Sequence, residues 1–314
     1  MGGIDVEISA TVAQFEAWRK VAVDGQDIFI INFISEKIDK MIIDSHVHFW
    51  KFDPNRDSWI TKDMTAIRKD FLPEDFSLYL RENNINGCIA VQADQSDEET
   101  AFLVNLAKEN TFIKGIVGWI DLTSDKLEES LQNYQSEKLI KGFRHIAEGE
   151  EMGFLLQKKV LNGIAALHEY GYTFDILLRQ DQLSDAVKLS EKLPDQPFIL
   201  DHCGKPDLKI NDFKNWKSNI SELAQNPNIY CKISGLLTQG NWNMIDEKAI
   251  FDVLDFVFSQ FGIRRVVFGS DWPVMLLGGN YRSWIELISE YVSQFSKEEQ
   301  EFFFSGNAVE FYNL

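Results

Sequence analysis

Two histidines separated by one residue are the clearest chemical feature of the sequence. His46 and His48 lie in the segment 44–48, which reads DSHVH and ends a short apolar run. Side chains two residues apart on a β-strand point to the same face, so we expect Asp44, His46 and His48 to share one face. Imidazoles aimed at one point commonly hold a divalent metal such as zinc. The alternative is a pair of buried histidines that serve only as hydrogen-bonding groups.

Two further candidates, His202 and Asp271, end later apolar runs. His202 precedes Gly204 and Pro206, which stop a strand. Asp271 precedes Pro273, and this predicts a loop there and not a helix N-cap. A carboxylate in such a loop can take a proton from an attacking water and return it to a leaving oxygen. We therefore predict that both residues are catalytic.

Arg144 and His145 end another apolar run, 140–145. Strand alternation lets only one of the two point inward, and the register leaves open which one. Either side chain can donate hydrogen bonds to a substrate carbonyl or stabilise an oxyanion. Both are candidate catalytic residues, and a structural ion pair is the alternative for Arg144.

An amide and several tryptophans fall on or near the same strand ends. Flat aromatic faces with a few amides suit a polyhydroxylated ligand, because the C–H face of a sugar packs on a ring while its hydroxyls form hydrogen bonds. Trp59 and Trp242 lie in similar loops, and loop aromatics often serve only packing. The predicted substrate-binding residues are Gln92, Trp50, Trp119 and Trp272.

The elements that carry these residues predict an α/β fold. Eight short apolar runs indicate strands buried on both faces, over 42–48, 87–93, 113–122, 140–145, 172–178, 198–202, 229–234 and 265–270. Helical patterns lie between them, as at 73–83 and 97–109. Such units predict a (β/α)₈ TIM barrel, whose chemistry sits at the carboxyl ends of the strands. An open doubly wound sheet is the alternative, but the sequence has no Gly-rich phosphate turn.

Residues 1–40 precede the first predicted barrel strand. We predict that they form an N-terminal extension and that 41–314 form one barrel domain. Within the extension, 10–23 has a helical pattern and 28–34 predicts an apolar helix or strand. Two interpretations stay open: the extension packs on the barrel, or Met41 is the natural start of the protein.

Composition and charge exclude several classes of function. The chain has 314 residues and a net charge of −18, which disfavours binding to nucleic acid. Its three cysteines form no CxxC pair, as is typical of a reducing cytoplasm. The apolar runs are shorter than the about 20 residues that span a bilayer, and the N-terminus lacks a secretory signal pattern. We expect a cytoplasmic protein that binds neither membranes nor nucleic acid.

With these site residues in this order, the sequence resembles members of the amidohydrolase superfamily. The similarity is closest to the amidohydrolase-2 group of predicted metal-dependent hydrolases, which contains sugar-acid lactonases and the pyrone dicarboxylate lactonase. The matching segments follow in order at 43–50, 91–92, 117–119, 142–145, 201–206, 232–235, 268–273 and 306–308. The resemblance implies a distorted barrel in which His46, His48, His202 and Asp271 hold a metal or water.

One departure from the family limits the metal site. Binuclear members carry a bridging lysine on strand four and a histidine on strand five, whereas this chain has Arg144 and His145 on the former and no histidine in 172–178. We expect one divalent metal, with zinc as the first candidate, and catalysis without metal stays open.

The resemblance implies a lactonase that opens a sugar-acid lactone such as fuconolactone or rhamnonolactone. In this interpretation Asp271 is the general base, the histidines orient water or polarise the carbonyl, and Arg144 or His145 stabilises the oxyanion. The partner is then a small-molecule substrate, and a homo-oligomer stays open. The alternatives are a metal-dependent decarboxylase of an aromatic or related acid and a sugar-binding protein without catalysis.

Overall fold

The computed structural model describes residues 17–23, 26–32, 41–210 and 212–314. Strands β1 (Ala17–Val23) and β2 (Gln26–Asn32) form an antiparallel two-stranded sheet of their own. The helix predicted over 10–23 is therefore wrong for 17–23, and 10–16 lie outside the described residues. Valine and tryptophan favour strands, and the helical periodicity of 10–23 overlooked this preference. Over 28–32, the strand alternative for 28–34 is confirmed.

The second sheet is a parallel barrel, so the predicted fold is confirmed. Each of its eight strands pairs with the next in chain order. All eight predicted strands are present, most of them shorter than predicted at one or both ends. The strands are β3 (Ile43–Val47), β4 (Gly87–Val91), β5 (Ile113–Gly118), β6 (Ile140–Ile146), β7 (Thr173–Leu177), β8 (Phe198–Leu200), β9 (Ile229–Ile233) and β10 (Val266–Phe268).

Helices follow the strands and cover the outside of the barrel. They are α1 (Pro73–Asn83), α2 (Asp97–Glu109), α3 (Leu127–Tyr134), α4 (Lys158–Glu169), α5 (Leu183–Lys192), α6 (Lys214–Leu223), α7 (Glu247–Phe261), α8 (Tyr281–Val292), α9 (Lys297–Glu301) and α10 (Asn307–Tyr312). The bounds of α1 and α2 are those predicted from the sequence. Proline favours the first position of α1, and the Ser96 hydroxyl caps α2 by accepting from the Glu99 amide. Among the described helices, none has the length and apolar character needed to cross a membrane.

The barrel closes between β3 and the segment that follows β10. The His48 amide donates to the Trp272 carbonyl at 2.7 Å, and the Asp271 amide donates to the His46 carbonyl at 2.9 Å. We call residues 46–48 and 271–272 the closing seam. Because both sides of the seam carry predicted site residues, barrel closure itself brings those residues together.

The interior of the barrel is apolar at one end. Val91, Val117 and Val267 pack there against Tyr312 of α10, which is 1% exposed. The larger apolar core lies between the strands and the surrounding helices. Helix α10 therefore covers this end, and the polar residues occupy the other.

Strand β3 contains an irregularity that redirects one predicted residue. Asp44 pairs with Cys88, but Val47 pairs with Ala90, so β3 has one more residue than β4 between these pairs. The Asp44 carboxylate accepts from the Tyr281 hydroxyl of α8 at 2.8 Å and from the Ser270 amide at 2.8 Å. The expectation that Asp44 shares a face with His46 and His48 is wrong, because the bulge breaks the alternation.

Candidate active site

A cavity of about 520 Å³ opens at the carboxyl ends of the barrel strands. This volume lies in the range of small-molecule sites. Four of the predicted catalytic or metal-binding residues line it: His48 after β3, Arg144 on β6, His202 after β8 and Asp271 after β10. The other walls are largely aromatic and apolar, with Trp50, Trp59, Met64, Leu177, Trp242, Val274 and Leu277 among their residues.

The imidazoles of His46 and His48 face each other through their Nε2 atoms. His48 Nδ1 is 2.8 Å from the Val91 carbonyl, which can only accept, so His48 Nε2 carries no proton when the ring is neutral. Arg144 Nη1 is 3.2 Å from His46 Nε2, and a guanidinium can only donate. The two Nε2 atoms lie 3.2 Å apart. Two nitrogen lone pairs at this distance repel each other unless a donor or a cation lies beside them, and Arg144 is such a donor at His46 Nε2.

This spacing also fits a metal. Two nitrogen ligands of a tetrahedral zinc lie about 3.3 Å apart when each bond is about 2.0–2.1 Å long. Asp271 Oδ1 is 3.3 Å from His48 Nε2. One ligand atom from each of His46, His202 and Asp271 lies within 4.8 Å of the others, and all three residues are buried. Imidazole and carboxylate are donors that zinc accepts, so this group is a possible divalent-metal site.

Burial keeps two of these imidazoles neutral. Loss of hydration lowers the pKa of His46 well below its usual value, against the opposing charge of Asp201. Loss of hydration likewise lowers the pKa of His202, although Asp271 raises it. Neutral rings keep a lone pair for a metal or for a water proton.

The backbone at His202 and Asp271 is left-handed. Their φ angles are +54° and +65°, which few non-glycine residues adopt. Ser234 Oγ lies 2.9 Å from His202 Nδ1 and fixes the ring. A Cβ at Gly235 would lie 2.5 Å from the same nitrogen, and Gly235 itself has a φ of +66°. Only glycine fits at 235 without moving the His202 ring, and such local strain is typical of functional sites.

A layer of paired charges lies beneath the cavity. Lys232 of β9 is 2.5 Å from Asp175 of β7 and 3.0 Å from Asp201. All three side chains are fully buried. Hereafter they are the charged layer. Arg144 Nη1 contacts Asp201 at 3.0 Å, and His46 Nδ1 lies 3.4 Å from the same carboxylate. The charged layer therefore supports His46 and Arg144 from below.

The two carboxyls of the charged layer respond in opposite ways. Burial acts to raise the pKa of Asp201, but Lys232, His46 and Arg144 together hold that pKa well below its usual value. Burial raises the pKa of Asp175 to about 6 against the attraction of Lys232. The Tyr312 hydroxyl donates to Asp175 Oδ2 at 2.9 Å, so α10 reaches this layer from the opposite end of the barrel.

Sequence reasoning missed the charged layer. A signal was available, because Asp175 and Lys232 are charged residues inside short apolar strands. Charges in strands buried on both faces require partners. The sequence does not reveal that these two partner each other.

Arg144, and not His145, is the residue that faces the cavity. Arg144 lines it and is 3% exposed. The His145 ring lies 3.0 Å from Glu150 and stacks on Phe154, outside the cavity lining. The two side chains thus lie on different faces of β6, as strand alternation requires. The register, which the sequence left open, places Arg144 on the inner face.

The predicted substrate-binding residues separate into two groups. Trp50 lines the cavity, whereas Gln92, Trp119 and Trp272 lie outside its lining. The Gln92 side-chain oxygen accepts from Arg144 Nη2 at 3.0 Å. Trp272 is 1% exposed, within a cluster of aromatic rings. Gln92 is thus placed to orient Arg144.

Comparison with known proteins identifies the family. The family model described as Amidohydrolase matches residues 43–314. The chain belongs to the amidohydrolase family. The predicted resemblance and the expectation of a hydrolase are thereby confirmed.

Several relatives of this amidohydrolase carry more specific names. An L-fucono-1,5-lactonase of Burkholderia multivorans is 34% identical over 284 residues, which cover 87% of this chain and 96% of the relative. An L-fucono-1,5-lactonase of Burkholderia ambifaria is 28% identical, with 87% and 95% covered. A crystal structure of an amidohydrolase from Burkholderia multivorans with bound zinc superposes with a TM-score of 0.85 at 32% identity and covers 87% of this chain and 99% of that one.

Proposed function

We propose that this amidohydrolase opens a sugar-derived lactone of the fuconolactone or rhamnonolactone kind. The observation that carries the proposal is the position of Asp271, a buried carboxylate 3.3 Å from His48 at the base of an aromatic-walled cavity. The lactonase names of the two Burkholderia relatives support this class of substrate. The cavity volume of about 520 Å³ suits a single sugar ring.

In the proposed reaction Asp271 acts as the general base. Its carboxylate takes a proton from water, the resulting hydroxide adds to the lactone carbonyl, and Asp271 then returns the proton to the ring oxygen as the C–O bond breaks. Both steps need the base within hydrogen-bond reach of the water and of the ring oxygen. The closing seam provides this, because it fixes the backbone of Asp271.

Arg144 supplies positive charge for the oxyanion. Its guanidinium lines the cavity and is held by Asp201 and Gln92. A donor that is already oriented needs no rearrangement when charge develops on the carbonyl oxygen. His145, outside the lining, is not given this role.

His46, His48, His202 and Asp271 would hold one divalent ion, which we propose is zinc. Such an ion polarises a carbonyl and lowers the pKa of bound water. The second nitrogen of His46 faces Asp201 at 3.4 Å, and that of His202 faces Ser234, so outer contacts orient both rings. All three cysteines are free and buried, which suits the reducing cytoplasm. We propose that the enzyme acts there in carbohydrate metabolism.

The test measures acid release from a panel of sugar-acid lactones by pH-stat titration. We expect ring opening of at least one lactone, about one zinc per chain, and activity that chelation removes and zinc restores. Release of carbon dioxide from aromatic acids would instead identify the decarboxylase alternative. Absence of acid release from every lactone by the zinc-loaded protein would overturn the proposal.

A further inference from the structure

Two charged side chains line the cavity and have no part in the proposed chemistry. Glu148 belongs to the short turn Ala147–Gly149 after β6, and Lys205 follows the turn that carries His202. Both line the cavity, and the Lys205 ammonium donates to Glu148 Oε2. The side chain of Lys205 is 22% exposed and that of Glu148 is 29% exposed, so a ligand in the cavity can reach both.

Both residues of this pair sit on a fixed backbone. Lys205 has a φ of +51°, and its amide donates to the His202 carbonyl at 2.8 Å. The Glu148 carbonyl accepts from the guanidinium of Arg179, which also pairs with Asp181 at 3.1 Å. An exposed ion pair usually gains little because two long side chains must be ordered. Here the surrounding backbone holds both residues at the wall of the cavity.

The pair keeps unused hydrogen-bonding capacity. An ammonium has three donors and a carboxylate has two acceptor oxygens. Among the residues that the structure describes, the side-chain hydrogen bond of each partner runs to the other. Two donors of Lys205 and one oxygen of Glu148 therefore stay available to a ligand.

The charge of the pair selects among ligands. Lys205 and Glu148 together are neutral, and an anionic ligand that approached the ammonium would also face the carboxylate. Adjacent hydroxyls on a sugar ring match the pair better, because one oxygen can accept from Lys205 while the next hydroxyl donates to Glu148. The pair suits a neutral polyhydroxylated ring and disfavours a carboxylic acid at this position.

We propose that Glu148 and Lys205 form a subsite that binds two neighbouring hydroxyls of the lactone. The subsite rests on the proposed lactonase function and specifies its substrate class as a neutral, polyhydroxylated lactone. Glu148 and Lys205 are specificity residues, since they lie beside the reacting groups and contact the part of the ring that does not react.

The experiment compares L-fucono-1,5-lactone with δ-valerolactone, which has a six-membered lactone ring without hydroxyls. For Lys205→Met and Glu148→Gln, we expect the ratio of kcat/KM for the two lactones to fall at least about tenfold, as loss of a hydrogen bond to a charged group predicts. Lys205→Arg keeps the charge and should retain most of the ratio. Lys248→Met removes an ion pair with Asp252 on the exposed face of α7 and should leave the ratio unchanged.

Several outcomes separate the subsite from the proposed function. If wild-type protein opens neither lactone nor any other on the panel, the lactonase function fails and the subsite fails with it. If wild type opens them but Glu148→Gln and Lys205→Met keep the ratio, or lower both rates equally, the subsite alone is overturned. Inhibition by free L-fuconate that disappears in Lys205→Met, with the lactone ratio retained, would identify a carboxylate site and also overturn it. Thermal melting verifies folding, and either variant alone suffices for the test.

Discussion

The cavity-facing groups and the charged layer beneath them use the same residue types in different ways. Asp271 and His48 border the cavity, and among the residues that the structure describes no N–H or O–H group donates to the Asp271 carboxylate. In the charged layer, Lys232 contacts Asp175 and Asp201 at once and is sealed from solvent. The groups with free lone pairs are those proposed to react, whereas the groups already in ion pairs hold the reacting groups in position. Two residues join the layers, because Arg144 and His46 both contact Asp201.

The largest expected effect is on the cavity side. Asp271→Asn preserves shape but removes the base, so kcat on the best lactone should fall about 10²–10⁴-fold while the melting temperature stays close to wild type. Asp252→Asn on the exposed face of α7 is the matched control and should change neither quantity. Near-normal turnover in Asp271→Asn would show that the base lies elsewhere.

A substitution in the charged layer should act first on stability. Lys232→Met leaves Asp175 and Asp201 buried without their shared ammonium, and we expect the free energy of unfolding to fall by about 3–5 kcal/mol in urea titrations. Activity should fall too, since Asp201 supports His46. The exposed-pair variant Lys248→Met should cost less than about 1 kcal/mol. An unfolding free energy equal to wild type in Lys232→Met would mean that the layer adds no stability.

Gly235→Ala tests the position of one cavity-facing ring. The added Cβ would lie 2.5 Å from His202 Nδ1, so the ring must move. We expect zinc affinity, measured by calorimetry, and kcat to fall about 10–100-fold, the usual effect of disturbing a contact that orients a ligand. At Gly240 the nearest atom to a new Cβ is 3.5 Å away, so Gly240→Ala is the control. Unaltered zinc binding in Gly235→Ala would exclude His202 as a ligand.

Glu99 shows what burial does to a carboxyl that belongs neither to the cavity-facing groups nor to the charged layer. Burial raises the pKa of Glu99 to about 7, although the Ala93 amide donates to it at 2.9 Å. A raised pKa in the folded state stabilises the protein below the usual value near 4.5, and this stabilisation is lost as pH rises through about 7.

Glu99→Gln should remove that pH dependence. Relative to wild type, we expect its free energy of unfolding to increase by about 2–3 kcal/mol between pH 5 and pH 8. Its exposed neighbour Glu98 provides the control Glu98→Gln. Parallel stability curves for wild type and Glu99→Gln would contradict the raised pKa.

The sequence predicted the barrel well because its signals are local. Short Val- and Ile-rich runs can be buried on both faces only in a parallel sheet covered by helices, and capping residues mark helix ends such as Ser96. The ends of strands also predicted which residues meet at the cavity, including Asp271 and His202.

Features that depend on several strands could not be predicted. The bulge in β3 turned Asp44 toward α8, and it arises from pairing with β4 that no local pattern records. The ion pairs of Lys232 likewise join β9 to β7 and to the turn after β8. In β6, one residue of register decided between Arg144 and His145, and only the assembled barrel fixes that register.

The closing seam also makes hydrolysis a late reporter of folding. The Ser270 amide donates to the Asp44 carboxylate across 226 residues of chain, next to the bonds that join His46 to Asp271. Contacts between such distant segments form slowly because the intervening chain must lose entropy first. During refolding, helical circular dichroism should therefore return before catalytic activity, and recovered turnover marks the chains in which β3 has met the segment after β10.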